Sequence, residues 1–114
     1  MFKLDTTGTE TVLHSFTGPD GAFPLAGLVR DKEGNLYGTT HGGGLLNCVG
    51  SGPGCGVVFK LDTTGTETVL HSFSGGADGA RLNGGLVQDK AGNLYGTTSQ
   101  NGASGVGTVF KLTP

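Results

Sequence analysis

The sequence predicts an all-β protein, a β-propeller built of four-stranded antiparallel blades with about two blades in the chain. The segment FKLDTTGTETVLHSF stands at Phe2–Phe16 and again, unchanged, at Phe59–Phe73. Turn formers are abundant, since 24 of the 114 residues are Gly, and short apolar segments lie between the turns. A repeat of roughly 50 to 58 residues with four short strands is typical of a propeller blade. A β-sandwich is the alternative, but the strict period disfavours it.

Each repeat contains four predicted strands, named a to d in chain order. Asp-x-x-Gly segments link a to b and c to d, where the Asp side chain caps the turn and Gly takes a positive φ. The complete set is Gly27–Asp31, Asn35–Thr40, Val57–Asp62 and Glu67–Phe73. An earlier c and d lie at Met1–Asp5 and Glu10–Phe16, and a later a, b and c at Gly85–Asp89, Asn93–Thr98 and Thr108–Leu112. The chain therefore divides into two repeat units, residues 1–57 and 58–114.

The strand count predicts assembly. Two blades and one extra strand are too few to close a ring of roughly four to eight blades. Because an open apolar blade face would need covering, we expect a homo-oligomer whose copies meet head to tail, as a closed ring or a fibre. The surplus strand c, either Met1–Leu4 or Val109–Leu112, predicts strand pairing across the chain boundary. The alternative is that the chain is an excerpt of a longer array.

The net charge and the motifs exclude several classes of function. A formal net charge of −2 excludes nucleic-acid binding through a basic surface, and no apolar run is long enough to span a bilayer. His41–Gly44 reads HGGG, as in the oxyanion loop of some esterases, but no G-x-S-x-G segment accompanies it. The sequence therefore predicts a protein that is not an enzyme, with no cofactor and no metal.

The segments PLAGLVRDKEGNLYGTT and GVVFKLDTTGTETVLHSF resemble the GloVer-type bacterial tandem-repeat (choice-of-anchor) family, whose repeats are β-propeller-like. The resemblance covers nearly the whole chain and is carried by LYGTT and VFKLD. It implies an extracellular or cell-surface repeat array and supplies no catalytic residues. On this basis we expect a structural or adhesive protein whose partner is a second copy of itself. The alternative is a lectin-like propeller that binds a glycan between blades.

The loops that differ between repeats predict a binding face. Blade geometry puts the d–a and b–c loops on one rim, and scaffolds that bind ligands hold their strands constant while the loops vary. The candidate residues are Asp20, Phe23, Asp78 and Arg81 in the d–a loops, with His41 and Asn101 in the b–c loops. A plainer interpretation is that the two Asp side chains cap their own turns and that exposed loops vary without consequence.

Two tyrosines are candidates for the pockets between blades. Tyr37 and Tyr95 lie in strand b next to Gly38 and Gly96. A small neighbour lets an aromatic ring lie flat, as stacking on a sugar requires. Core packing explains both residues equally well.

Cys48 and Cys55 lie in the longer b–c loop. A tetrahedral zinc site would need further ligands, and His41 is the sole nearby candidate. A local disulfide is favoured over a free thiol pair or a metal site. It would stabilise the loop by about 2.5 kcal/mol and would imply an oxidising compartment.

Overall fold

The computed structural model describes residues 1–45 and 54–114, and in those residues the chain is all-β with no helix. Its strands form three small antiparallel sheets. In chain order the strands are β1 (Phe2–Leu4), β2 (Glu10–Val12), β3 (Val29–Arg30), β4 (Leu36–Thr39), β5 (Val57–Leu61), β6 (Glu67–Ser72), β7 (Val87–Gln88), β8 (Leu94–Thr98) and β9 (Thr108–Leu112). Within the described ranges, no helix is long and apolar enough to cross a membrane.

The middle sheet is the four-stranded unit that the repeat predicts. Its strands follow chain order, β3-β4-β5-β6, and every neighbouring pair is antiparallel. They correspond to the predicted strands a to d, each shorter by one to three residues. The shortening has a local cause at Asp31. Its Oδ1 accepts hydrogen bonds from the Glu33 and Asn35 amides at 2.9 Å, so this residue belongs to the turn.

A glycine in strand b makes room for an aromatic ring of strand c. A Cβ at Gly38 would lie 2.7 Å from Cζ of Phe59, and a Cβ at Gly96 would lie 2.6 Å from Cζ of Phe110. No side chain fits at either glycine without displacing the ring. The Gly of LYGTT is therefore matched to the Phe of VFKL, which explains why the two motifs recur together.

The other two sheets correspond to parts of the four-stranded unit. The hairpin β1–β2 corresponds to strands c and d, and the sheet β7-β8-β9 corresponds to strands a, b and c. The segment that follows one sheet contacts the next sheet in the same way twice. Phe16 meets Phe59 edge-on with 5.1 Å between ring centroids, and Phe73 meets Phe110 with the same 5.1 Å.

The main core lies between the middle and last sheets. Its largest buried members are Tyr37, Val58, Phe73, Leu82, Leu86 and Leu94. Every residue of β1 and β2 is exposed instead, with Phe2 and Leu4 each at 62%. The first hairpin therefore adds little to the buried interior. Closure into a propeller ring stays a prediction.

Candidate functional site

Each d–a loop is closed by a histidine–aspartate pair. In the first loop, Asp20 Oδ1 accepts a hydrogen bond from the Thr17 amide at 2.9 Å, and its Oδ2 lies 2.8 Å from Nε2 of His14. In the second loop, Asp78 Oδ2 accepts a hydrogen bond from the Ser74 amide at 3.0 Å and lies 3.1 Å from Nε2 of His71. Both Asp side chains do cap their turns, but the sequence did not link them to the histidines. The recurring His-to-Asp separation, six residues and then seven, is the signal that was missed.

Glu67 at the start of β6 joins the first pair from the neighbouring sheet. One side-chain atom each from His14, Asp20 and Glu67 lies within 4.8 Å of the others, the one such cluster of ligand-type atoms in the described part of the chain. Oε2 of Glu67 is buried and has no hydrogen-bond partner. Because His14 and Asp20 are already hydrogen-bonded to each other, the cluster is a polar contact between the first d–a loop and β6.

The two carboxyls of this cluster have pKa values shifted in opposite directions. Burial raises the pKa of Glu67, and the nearby Asp20 charge raises it further, which outweighs the opposing effect of His14. Burial also acts to raise the pKa of Asp20, but hydrogen bonds from Thr17 and His14 outweigh it and the pKa falls. The surroundings of Glu67 therefore destabilise its ionised form relative to a Glu side chain in water.

We expect Glu67→Gln to stabilise the fold slightly at neutral pH. Because its folded pKa is raised, Glu67 favours the folded state when protonated and opposes it as pH rises from the ordinary Glu pKa through the raised value. The gain from Gln should therefore appear above that window and vanish below it. Thermal melts of dilute protein at pH 4 and pH 7 measure this. The control is Glu10→Gln, an exposed Glu in the identical local sequence, and an equal gain in both variants would contradict the explanation.

The d–a and b–c loops pair with each other along the backbone. Ala22 exchanges hydrogen bonds with Gly42 at 2.9 and 3.0 Å, and the Phe23 carbonyl accepts one from the His41 amide at 2.9 Å. In the second unit Ala80 pairs with Gln100 in the same way. The structure thus brings Phe23 and His41 into one rim.

Three candidate rim residues have a left-handed backbone. Phe23, Arg81 and Asn101 have φ values of 56°, 63° and 62°, a conformation that costs a non-glycine residue of the order of 1–2 kcal/mol. They are the non-glycine residues with positive φ in the described ranges. Strained backbone of this kind is concentrated at functional positions in proteins. That these three residues bind a ligand stays a prediction.

The side chains of the equivalent residues Phe23 and Arg81 differ in their exposure to solvent. The Phe23 side chain is 57% exposed. Arg81 is 7% exposed, and its Nη1 donates a hydrogen bond to the Gly54 carbonyl at 2.7 Å. His41 is half-buried, and its Nδ1 lies 2.7 Å from Oδ1 of Asn83. On this rim Phe23 is thus an accessible aromatic surface. The Arg81 guanidinium is instead hydrogen-bonded inside the protein.

Both tyrosines bind the a–b turns. The Tyr37 hydroxyl donates to Asp31 Oδ2 at 3.0 Å, and the Tyr95 hydroxyl donates to Asp89 Oδ2 at 3.0 Å. The Tyr37 pKa is raised, first by burial and then by this hydrogen bond. Tyr37 is only 5% exposed, so it packs in the core, as the alternative interpretation of this residue expects. Sugar stacking, and with it the lectin-like function, stays a prediction.

The predicted disulfide involves a residue outside the described ranges. Cys55 is completely buried in the main core. Cys48 lies between residues 45 and 54, outside the described residues. The pairing of the two therefore stays a prediction.

Comparison with known protein families gives a match over the whole chain. A family model described as the Gloeobacter/Verrucomicrobia repeat matches residues 1–114. This confirms the resemblance carried by the LYGTT and VFKLD motifs. No curated protein and no solved structure matches.

Proposed function

We propose, since the chain belongs to the Gloeobacter/Verrucomicrobia repeat family over its whole length, that it is a non-catalytic structural or adhesive repeat protein. Copies of the chain assemble head to tail into a β-propeller ring or fibre. The proposed location is outside the cytoplasm, as the family resemblance implies.

The observation that carries the proposal is the repeated contact between sheets. The Phe16–Phe59 and Phe73–Phe110 contacts have the same 5.1 Å centroid spacing. Each contact joins the segment that follows one sheet to the next sheet, and a contact that occurs twice in one chain can occur again with a further copy. The incomplete sheets lie at the two ends of this series, where the next copy would be added.

The use of the acidic side chains supports a role without catalysis. The pKa values of Asp20 and Asp78 are lowered although burial opposes this, because hydrogen bonds from their own loops and from His14 and His71 stabilise the charged forms. Such low-pKa carboxylates are poor proton acceptors at neutral pH. The hydrogen bonds that lower these pKa values are the ones that hold the two d–a loops closed.

The native mass of the purified 114-residue chain tests this proposal. We expect dimers, trimers or tetramers, which hold about four, six or eight blades, or a ladder of larger species if the rotation does not close. Native mass spectrometry or light scattering over a range of concentrations distinguishes these. A chain that stays monomeric at every concentration would contradict the assembly.

A further inference from the structure

The edge of β9 lacks the neighbour that its internal counterpart has. Thr108–Leu112 reads TVFKL, and the corresponding strand β5, Val57–Leu61, reads VVFKL. β5 lies between β4 and β6, whereas β9 pairs with β8 alone in the described chain. The complete sheet therefore shows which strand belongs beside β9, namely one equivalent to β6.

A groove of about 240 Å³ runs along this edge. Its lining includes Val58, His71, Asp78, Phe110 and Leu112. The His71 and Asp78 side chains are 41% and 30% exposed. The equivalent His14 and Asp20, which Glu67 of β6 approaches, are 19% and 22% exposed. The groove thus lies where a strand equivalent to β6 would cover the second His–Asp pair.

The chain contains the sequence that fits this groove. Glu10–Phe16 is identical to Glu67–Phe73, the segment that begins with β6. We propose that the β9 edge binds Glu10–Phe16 of a second copy of the chain, in the register that β6 adopts on β5. This inference rests on the proposed assembly and specifies its interface.

The register follows from the internal pair. Leu61 is paired with Glu67, and Lys60 with Thr68. By equivalence, Leu112 pairs with Glu10 of the second copy, and Lys111 with its Thr11. That Glu10 then lies beside His71 and Asp78, as Glu67 lies beside His14 and Asp20 in the complete blade. The carboxylate of the second copy completes a second three-residue cluster.

β1 competes for the same strand within its own chain. It pairs Lys3 with Thr11 and Leu4 with Glu10, and its FKL sequence is repeated in β9. Binding of β2 to β9 therefore replaces β1 with an equivalent strand in the same register. An isolated two-stranded hairpin is only marginally stable, and every residue of both strands of this one is exposed. The interface is thus an exchange of strands, with β1 as the internal competitor.

Hydrogen-bond alternation shows which amides face the open edge. The Thr40 amide donates to the Val57 carbonyl at 2.9 Å, so Val57, Phe59 and Leu61 bond towards β4. Lys60 between them bonds towards β6. The Lys60 equivalent in β9 is Lys111, whose amide therefore points to the open edge. Proline at this position removes that donor and leaves the hydrogen bonds to β8 in place.

Two complementary proline variants test the exchange. Lys111→Pro blocks the β9 edge but leaves β2 available, and Thr11→Pro blocks β2 but leaves β9 available. We expect each variant alone to be monomeric and an equimolar mixture to form a single 1:1 dimer by native mass spectrometry. Lys111→Ala and Thr11→Ala keep the amides and should assemble as the unsubstituted chain does. Cooperative thermal melts of each variant check folding, because the main core contains neither residue.

A separate variant tests whether β1 competes with β9 for β2. Lys3→Pro should weaken β1–β2 pairing and lower the concentration of half-assembly by about tenfold, whereas loss of assembly would overturn the displacement of β1. If the unsubstituted chain assembles but the two proline variants form no mixed dimer, the exchange is wrong while the proposed assembly stands. A monomeric unsubstituted chain would overturn both.

Discussion

Replacing Phe59 with alanine is expected to lower the free energy of unfolding by about 3–5 kcal/mol, the range for removing a buried aromatic ring. The residue is 1% exposed, contacts Phe16 edge-on and lies against Gly38. Its loss would leave a cavity between the first and second sheets, which neighbouring side chains refill only in part. Urea denaturation, followed by circular dichroism, measures the change.

Phe2 provides a matched control within the same chain. It heads the same FKLDTTG sequence as Phe59 but is 62% exposed. Phe2→Ala should change the free energy of unfolding by no more than about 0.5 kcal/mol, as is usual for surface positions. Equal losses for the two variants would show that the first hairpin is buried in solution and that the environments described above are wrong.

Gly43→Ala is expected to cost about 3 kcal/mol or more, because two separate penalties coincide there. Its φ of 76° is unfavourable for alanine, and a Cβ would lie 2.5 Å from the Gly18 carbonyl oxygen. That oxygen accepts the Gly44 amide at 2.9 Å. Alanine would therefore separate the d–a loop from the b–c loop.

Gly8→Ala isolates the conformational penalty. Gly8 has a φ of 85° but no atom within 4 Å of the position of a Cβ. Alanine there should cost only about 1 kcal/mol. The difference between the variants, read from urea midpoints, measures the close approach of the loops. A Gly43→Ala loss no larger than that of Gly8→Ala would mean that these backbones do not touch.

Strand order could be predicted because its determinants are local. Asp31 and Asp89 each bind the amide four residues later, which turns the chain back and pairs β3 with β4 and β7 with β8. Burial could not be predicted in the same way. Phe2 and Phe59 have identical following sequences, and only neighbours distant in the chain make one exposed and the other buried. For Phe59 these neighbours include Gly38 of β4 and Phe16.

Prediction of the candidate site was limited by the same distinction. The sequence predicted Phe23 and Arg81 as candidate residues in equivalent loops, but it did not predict the left-handed backbone that both adopt. Whether each side chain is exposed or buried depends on residues that are distant in the chain. Arg81 is turned inward by the Gly54 carbonyl, 27 residues away in the chain, and no local pattern encodes that contact.

The equal spacing of the two Phe–Phe contacts has a consequence for how stability depends on length. If each sheet interacts only with its neighbours, the total free energy is a sum of one intrinsic contribution per sheet and one contribution per junction. Adding units then raises stability by a constant increment, and unfolding begins at the ends, where a sheet has a single junction. Gene duplication can therefore lengthen such a protein without any new interface having to evolve.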